Sequence, residues 1–332
     1  MKIAAPYLLF IGDATDHLSI KMAHGAADWR PELCIAQYSV SGCSVSTGLP
    51  EMDIAEAAKQ GVKSFILGFT NSGGLLDKKW VPFILEAMDA GMDIVSGLHQ
   101  KLSDFPELVV KAKQTGQLLL DIRHPKQNFI TGTGVRRSGK RLLTVGTDCS
   151  VGKMYTSLSI DKAMREQAVN VDFRATGQCG ILIAQQGIAI DCVIADFISG
   201  ATESLSPNNS ADHWDIIEGQ GSLSHPAFAG VSLGILHGSQ PDALVICHAL
   251  NRNHMRGIPS SGFPSIENTI ELNLQAARLT NPDVKVVGIA INTSSVSVEK
   301  GQEICAEYSH QFNLPCIDPL RDGAYCIAKT LI

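Results

Sequence analysis

Residues Leu142–Ser157, LLTVGTDCSVGKMYTS, carry the chemistry of a phosphate-binding turn. An apolar run (Leu142, Leu143, Val145) leads into a loop bounded by Gly146 and Gly152, and Lys153 opens a helix-like segment. Such a turn offers a phosphate a row of backbone N–H donors, a lysine and a helix N-terminus. Gly146, Thr147, Asp148, Cys149 and Ser150 are therefore assigned to cofactor binding. Val151, Gly152, Lys153, Met154 and Tyr155 complete the loop and the first helical turn. Two departures from the common pattern matter. Five residues, Thr147 to Val151, separate the glycines where G-x-x-x-x-G-K-[ST] has four. Met154 stands where a nucleotide hydrolase has a Ser or Thr ligand for magnesium, and a thioether is a poor ligand for that hard cation. The loop is thus expected to bind phosphate without a metal, although Thr147 or Thr156 could still supply an oxygen ligand.

Three other segments fit around this loop. WDIIEGQG (Trp214–Gly221) ends an apolar run in Glu218, a carboxylate able to hold a metal or accept a proton, unless it marks a surface turn. VIADFIS (Val193–Ser199) sets Asp196 among apolar residues, where a charge must be ion-paired or functional. VGIAINTS (Val287–Ser294) ends in Asn292, whose amide suits an adenine edge or, equally, an Asx turn. Arg174, Arg252 and Arg256 could form bidentate pairs with carboxylates, or plain surface ion pairs.

The elements that must hold these groups alternate in type. Apolar runs at Tyr7–Ile11, Ser64–Phe69, Asp93–Gly97 and Gln117–Ile122 read as strands. Asp53–Lys59, Trp80–Ala90 and Pro106–Thr115 read as the helices among them. Residues 124–141, HPKQNFITGTGVRRSGKR, lack apolar periodicity and read as a solvated linker. Alternation then resumes with strands at Leu142–Val145, Val171–Ala175, Trp214–Glu218, Ala243–His248 and Val284–Ile291, and a helix at Ser265–Leu279. The expected fold class is α/β, with two parallel-sheet domains. Residues 1–128 form a Rossmann-like domain, 129–141 the linker, and 142–332 a P-loop domain. Turns at Gly12–Asp13 and Asn71–Gly74 follow strands, but neither is a G-x-G-x-x-G fingerprint, so a nicotinamide cofactor is not expected.

Composition narrows the class further. A net charge of −6 gives no electrostatic case for nucleic-acid binding. No apolar stretch approaches the ~20 residues of a membrane span, and the N-terminus reads as a strand rather than a signal peptide. Nine cysteines without C-x-x-C spacing argue against disulfides and zinc, so a cytoplasmic protein is expected.

Gly146-Thr147-Asp148, Gly152-Lys153 and Glu218-Gly219-x-Gly221 resemble the dethiobiotin synthetase and cobyric-acid-synthase branch of P-loop proteins, over the second half only. Nearly end to end, the chain resembles the D-glutamate N-acetyltransferases of the DgcN type. That resemblance implies transfer of acetyl from acetyl-CoA to the amino group of an amino acid. A loop of N–H groups with Lys153 can hold the diphosphate of coenzyme A without cleaving it, and no magnesium is required. Aminolysis needs a base to deprotonate the ammonium, for which Glu218, Asp196 and His225 are the candidates. Arg174, Arg252 and Arg256 would receive the substrate carboxylates. Cys149 could carry the acetyl group or simply fill a tight turn. The expected partners are small molecules, with neither nucleic acid nor membrane, and a homo-oligomer is expected. The alternatives are an ATP- and magnesium-dependent ligase or kinase of the dethiobiotin synthetase type, and a nucleotide- or CoA-sensing module without turnover.

Overall fold

The structure, a computed structural model, describes residues 2–250 and 252–332. Chain contacts divide it into two compact units, 1–126 with 177–192 and 127–176 with 193–332.

The first unit is built on β1 (Tyr7–Gly12), α1 (Lys21–Trp29), β2 (Cys34–Ser39), α2 (Ile54–Lys59), β3 (Ser64–Leu67), α3 (Val81–Asp89), β4 (Asp93–Ser96), α4 (Pro106–Thr115) and β5 (Leu119–Asp121). The strands form a parallel sheet in the order β2-β1-β3-β4-β5. Every residue of β1 is buried, as expected of a strand covered on both faces. Phe10 stacks on Phe65 at 5.1 Å between ring centres and meets Trp80 edge-on at 5.3 Å. Local signals set the helix ends. Asp53 accepts the Glu56 N–H at the start of α2, Pro106 opens α4, and left-handed Gly116 closes it.

The second unit begins with β6 (Lys140–Gly146), α5 (Lys153–Glu166) and β7 (Val171–Arg174). The chain then contributes α6 (Gln178–Ala184) to the first unit. It continues in the second with α7 (Ile198–Leu205), β8 (Trp214–Ile217), α8 (Ala229–Ser239), β9 (Ala243–Ala249), α9 (Ile266–Ala277), β10 (Lys285–Asn292), α10 (Val298–Phe312), β11 (Cys316–Ile317) and α11 (Tyr325–Ala328). Its six strands are parallel in the order β11-β10-β9-β6-β8-β7. Two α/β units on parallel sheets, as expected, are therefore present.

Most of the segment read as a solvated linker is exposed, but two of its arginines pack against the second unit. The Arg137 guanidinium donates to the carbonyls of Ser206 and Gly238, both at 2.7 Å. Arg141, 2% exposed, donates to the carbonyls of Arg137, Ser138 and Gly139. A guanidinium has five N–H donors, so it can collect loop carbonyls that would otherwise need water. No helix among the described residues is long and apolar enough to cross a membrane.

Candidate functional site

Parallel α/β sheets bind ligands beyond the carboxyl ends of their strands. In the second unit β6 lies between β9 and β8, so its end is central. Gly146 closes β6, and a Cβ there would sit 2.7 Å from Val151 Cγ2 and 3.0 Å from the Cys247 carbonyl. The loop then turns through left-handed Ser150 (φ 54°) and Gly152 (φ 96°) into α5. Alternating handedness aims successive N–H groups into a common concavity suited to anions. Among the described residues no side chain caps α5, and its first turn holds no acidic residue, so its positive end suits an anion.

Lys153 is buried and folds back over this loop, donating from Nζ to the Asp148 carbonyl at 2.7 Å. Burial pushes its ammonium below the ordinary lysine range, and the neighbouring Cys149, Cys247, Asp148 and Glu218 pull it back. The Asp148 carboxylate is fully buried. Its Oδ2 accepts from the Arg252 guanidinium and, at 2.8 Å, from the Arg256 backbone N–H. Its Oδ1 is buried without a hydrogen-bond partner among the described residues, 3.8 Å from His225 Nε2. Arg252 also donates to the Cys149 carbonyl at 2.9 Å and lies over the Phe263 ring, while the Arg256 guanidinium holds the Ser150 hydroxyl. Both arginines thus clamp the loop itself.

Glu218 directly follows β8 and is buried. Its Oε2 accepts the Thr176 N–H at 2.9 Å, and its carbonyl accepts the Thr176 hydroxyl at 2.6 Å. Gly219 comes so close to β6 that its N–H donates to Thr144 Oγ1 at 3.0 Å. Thr144, Thr176 and Ser222, whose hydroxyl holds the Thr147 carbonyl at 3.2 Å, complete the loop's frame. These hydroxyls were missed in the sequence because serine and threonine carry no spacing signal of their own.

Several expectations need correction. Asp196 lies exposed in a single 3-10 turn, so the desolvated charge expected there does not exist. His225 is committed on both nitrogens. Nδ1 accepts the Ala227 N–H at 3.1 Å, which leaves Nε2–H to donate to the Arg256 carbonyl at 3.0 Å. Arg174 pairs with buried Asp215 at 2.6 Å and with Asp172 at 3.1 Å, so its guanidinium belongs to an ion cluster. Asn292 Oδ1 accepts the Ser294 N–H at 3.0 Å, which is the Asx turn of the two readings.

The donors also bear on a metal. Asp148, Cys149 and His225 bring ligand atoms within 4.8 Å of one another. Arg252 already neutralises that carboxylate and the imidazole has no lone pair to give, so the trio does not fit a divalent cation. The two threonine hydroxyls named as possible oxygen ligands are hydrogen-bonded within the second unit. Thr156 donates to the Gly152 carbonyl and meets the Cys247 thiol, and Thr147 pairs with His248 Nδ1 at 3.0 Å.

A parallel six-stranded sheet with a glycine-bounded, lysine-bearing loop at the end of a central strand defines a P-loop α/β protein. Family comparison agrees. Residues 128–328 match a domain of unknown function described as the P-loop domain of DUF1611, and residues 38–125 match its Rossmann-like N-terminal domain. The chain belongs to the DUF1611 family. It is 70% identical over 331 residues to a D-glutamate N-acetyltransferase from a Pseudoalteromonas species, covering 100% of both chains. It is 46% identical over 322 residues to a D-glutamate N-acetyltransferase from Tritonibacter scottomollicae, covering 97% of each. A crystal structure of a DUF1611 family protein from Anabaena variabilis superposes with a TM-score of 0.89 at 29% identity, covering 99% of both chains.

Proposed function

We propose that this protein is an amino-acid N-acetyltransferase that passes the acetyl group of acetyl-CoA to the amino group of D-glutamate. The full-length relatives named for that activity support the reaction. One observation supports the role of the loop in it: the uncapped start of α5, with left-handed Ser150 and Gly152 and with Lys153 beside it, suits a diphosphate that is held and not cleaved. Met154 at the position of a magnesium ligand fits the same reading, because thioester aminolysis develops no charge on a phosphate.

The geometry of the donor then separates two jobs. Coenzyme A carries its thioester at the far end of the pantetheine arm from the diphosphate. A group beside the loop therefore serves the diphosphate and stays remote from the reacting carbonyl. Glu218, bonded to Thr176 and close to Lys153, is assigned here to positioning the loop and not to proton transfer. Arg252 and Arg256 fix the loop through Asp148, Cys149 and Ser150. Cys149 fills the turn and carries no acetyl group.

The test is incubation with acetyl-CoA and D-glutamate, with mass-spectrometric detection of N-acetyl-D-glutamate. Lys153→Ala should raise KM for acetyl-CoA about tenfold or more while leaving KM for the amino acid unchanged. No N-acetylated product from any amino acid would refute the activity. A variant with normal acetyl-CoA affinity would refute the role of the loop.

A further inference from the structure

A second cluster of charged and nucleophilic side chains lies in the first unit, beyond the carboxyl ends of β4 and β5. Gly97 and His99 follow β4, Arg123 and His124 follow β5, and the segment 177–192 brings in Asp191 and Cys192. Arg123 donates to the Gly97 carbonyl at 3.1 Å and pairs with Asp191. That ion pair is incomplete. Arg123 Nε and Asp191 Oδ1 are both buried without a hydrogen-bond partner among the described residues, and so is His124 Nε2. One side of the cluster thus lacks an acceptor and the other lacks a donor. Buried polar atoms left in this way cost free energy until a ligand satisfies them.

A zwitterion answers both needs, since an α-amino acid presents a carboxylate and an ammonium from one carbon. We propose that this cluster binds the amino-acid substrate, with Arg123 Nε and His124 Nε2 on its α-carboxylate and Asp191 Oδ1 on its ammonium. The inference rests on the acetyltransferase reading and locates its acceptor site. His99, exposed, marks the open rim, with its Nδ1 3.6 Å from the Cys192 thiol. Burial pushes that thiol up and that imidazole down, so the pair is neutral and suits a wall better than a nucleophile.

Cys192 provides the readout. The full-length protein, without acetyl-CoA, is alkylated with iodoacetamide in the presence of D-glutamate, of a panel of other α-amino acids, and of glutarate. Labelling of each cysteine is followed by peptide mass spectrometry, with exposed Cys326 as internal control. Bound amino acid should slow Cys192 labelling about tenfold, leave Cys326 unchanged, and protect far better than glutarate, which lacks the ammonium. Asp191→Asn should abolish that protection and raise KM for the amino acid about tenfold with KM for acetyl-CoA unaltered. Unaltered Cys192 labelling across the whole panel, or equal protection by glutarate, overturns the proposal. The wild-type result stands by itself if the variant does not fold. Product formation without Cys192 protection would refute this site and leave the acetyltransferase reading intact. Protection without product would do the reverse.

Discussion

Replacing Gly219 by alanine would put a Cβ 1.7 Å from the Thr144 carbonyl oxygen and 2.9 Å from its carbonyl carbon. Both atoms are backbone of β6, so no rotamer change can make room. The end of β8 must move away from β6, and the bond from Gly219 N–H to Thr144 Oγ1 is the first lost. The same shift disturbs Lys153, whose Cδ would lie 3.2 Å from the new methyl. Overpacking costs about 1–3 kcal/mol and a buried N–H left unpaired adds about 1–3 kcal/mol. A combined loss of about 3 kcal/mol lowers Tm by roughly 6–12 °C in a domain of this size. Gly230 is the control. It is exposed in α8, and a Cβ there meets nothing within 4 Å, so alanine should raise stability by about 1 kcal/mol through helix propensity. Thermal melts followed by circular dichroism, with and without acetyl-CoA, read both variants. Gly219→Ala should melt early and lose its shift with acetyl-CoA, whereas Gly230→Ala should keep that shift. Wild-type melting and binding in Gly219→Ala would refute the close approach of the two strands.

Lys153→Met should raise Tm in ligand-free protein while removing the stabilisation given by coenzyme A, because it deletes a buried ammonium from the loop. The pH dependence has a definite sign. The folded lysine titrates below its unfolded value near 10.5, so between the two the unfolded chain binds more protons. Wild-type stability therefore rises with pH across that window, and the advantage of Lys153→Met shrinks there; a flat difference between the two melts would refute it. Arg174→Met should cost about 3 kcal/mol by leaving buried Asp215 without its cation, with no change in KM for either substrate; chemical denaturation and steady-state kinetics check both halves. Chelation by EDTA should leave the acetylation rate unchanged, and a magnesium-dependent rate would contradict the roles given to Met154, Thr147 and Thr156.

What was legible in the sequence was local. Gly146, Gly152 and Lys153 announce their turn through strand, glycine and helix signals a few residues apart, and Glu218-Gly219 does the same at the end of β8. Helices with caps, such as Pro106–Thr115 between its proline and Gly116, fell where spacing put them. β2 did not, because CIAQYS carries a glutamine at its centre. The structure shows why a strand tolerates it: Gln37 is buried, but its amide donates to Glu51 at 2.9 Å and accepts from the Thr47 N–H at 2.7 Å. Asp196 misled for the opposite reason. Apolar neighbours in sequence suggested burial, and a short exposed turn has no periodicity by which to correct that impression.

The arginines show where such reasoning stops. Arg174, Arg252 and Arg256 are alike as residues, each near a strand end, and each could hold a substrate carboxylate. What decides among them is the nearest acidic group in space. For Arg174 that is Asp215, one strand across the sheet and forty-one residues along the chain. For Arg252 it is Asp148, one hundred and four residues back, inside the loop. Arg123, which carried no motif, meets Asp191 only because the segment 177–192 returns to the first unit, a crossing without a local signature. An arginine whose guanidinium already holds a carboxylate, carbonyl or hydroxyl of its own unit is engaged, however suggestive its position. An arginine with a buried Nε still unpaired, opposite a carboxylate oxygen in the same condition, is where a ligand has work to do. By that criterion, hydrogen-bond satisfaction and not residue type moves the search for the amino acid from Arg174, Arg252 and Arg256 to Arg123.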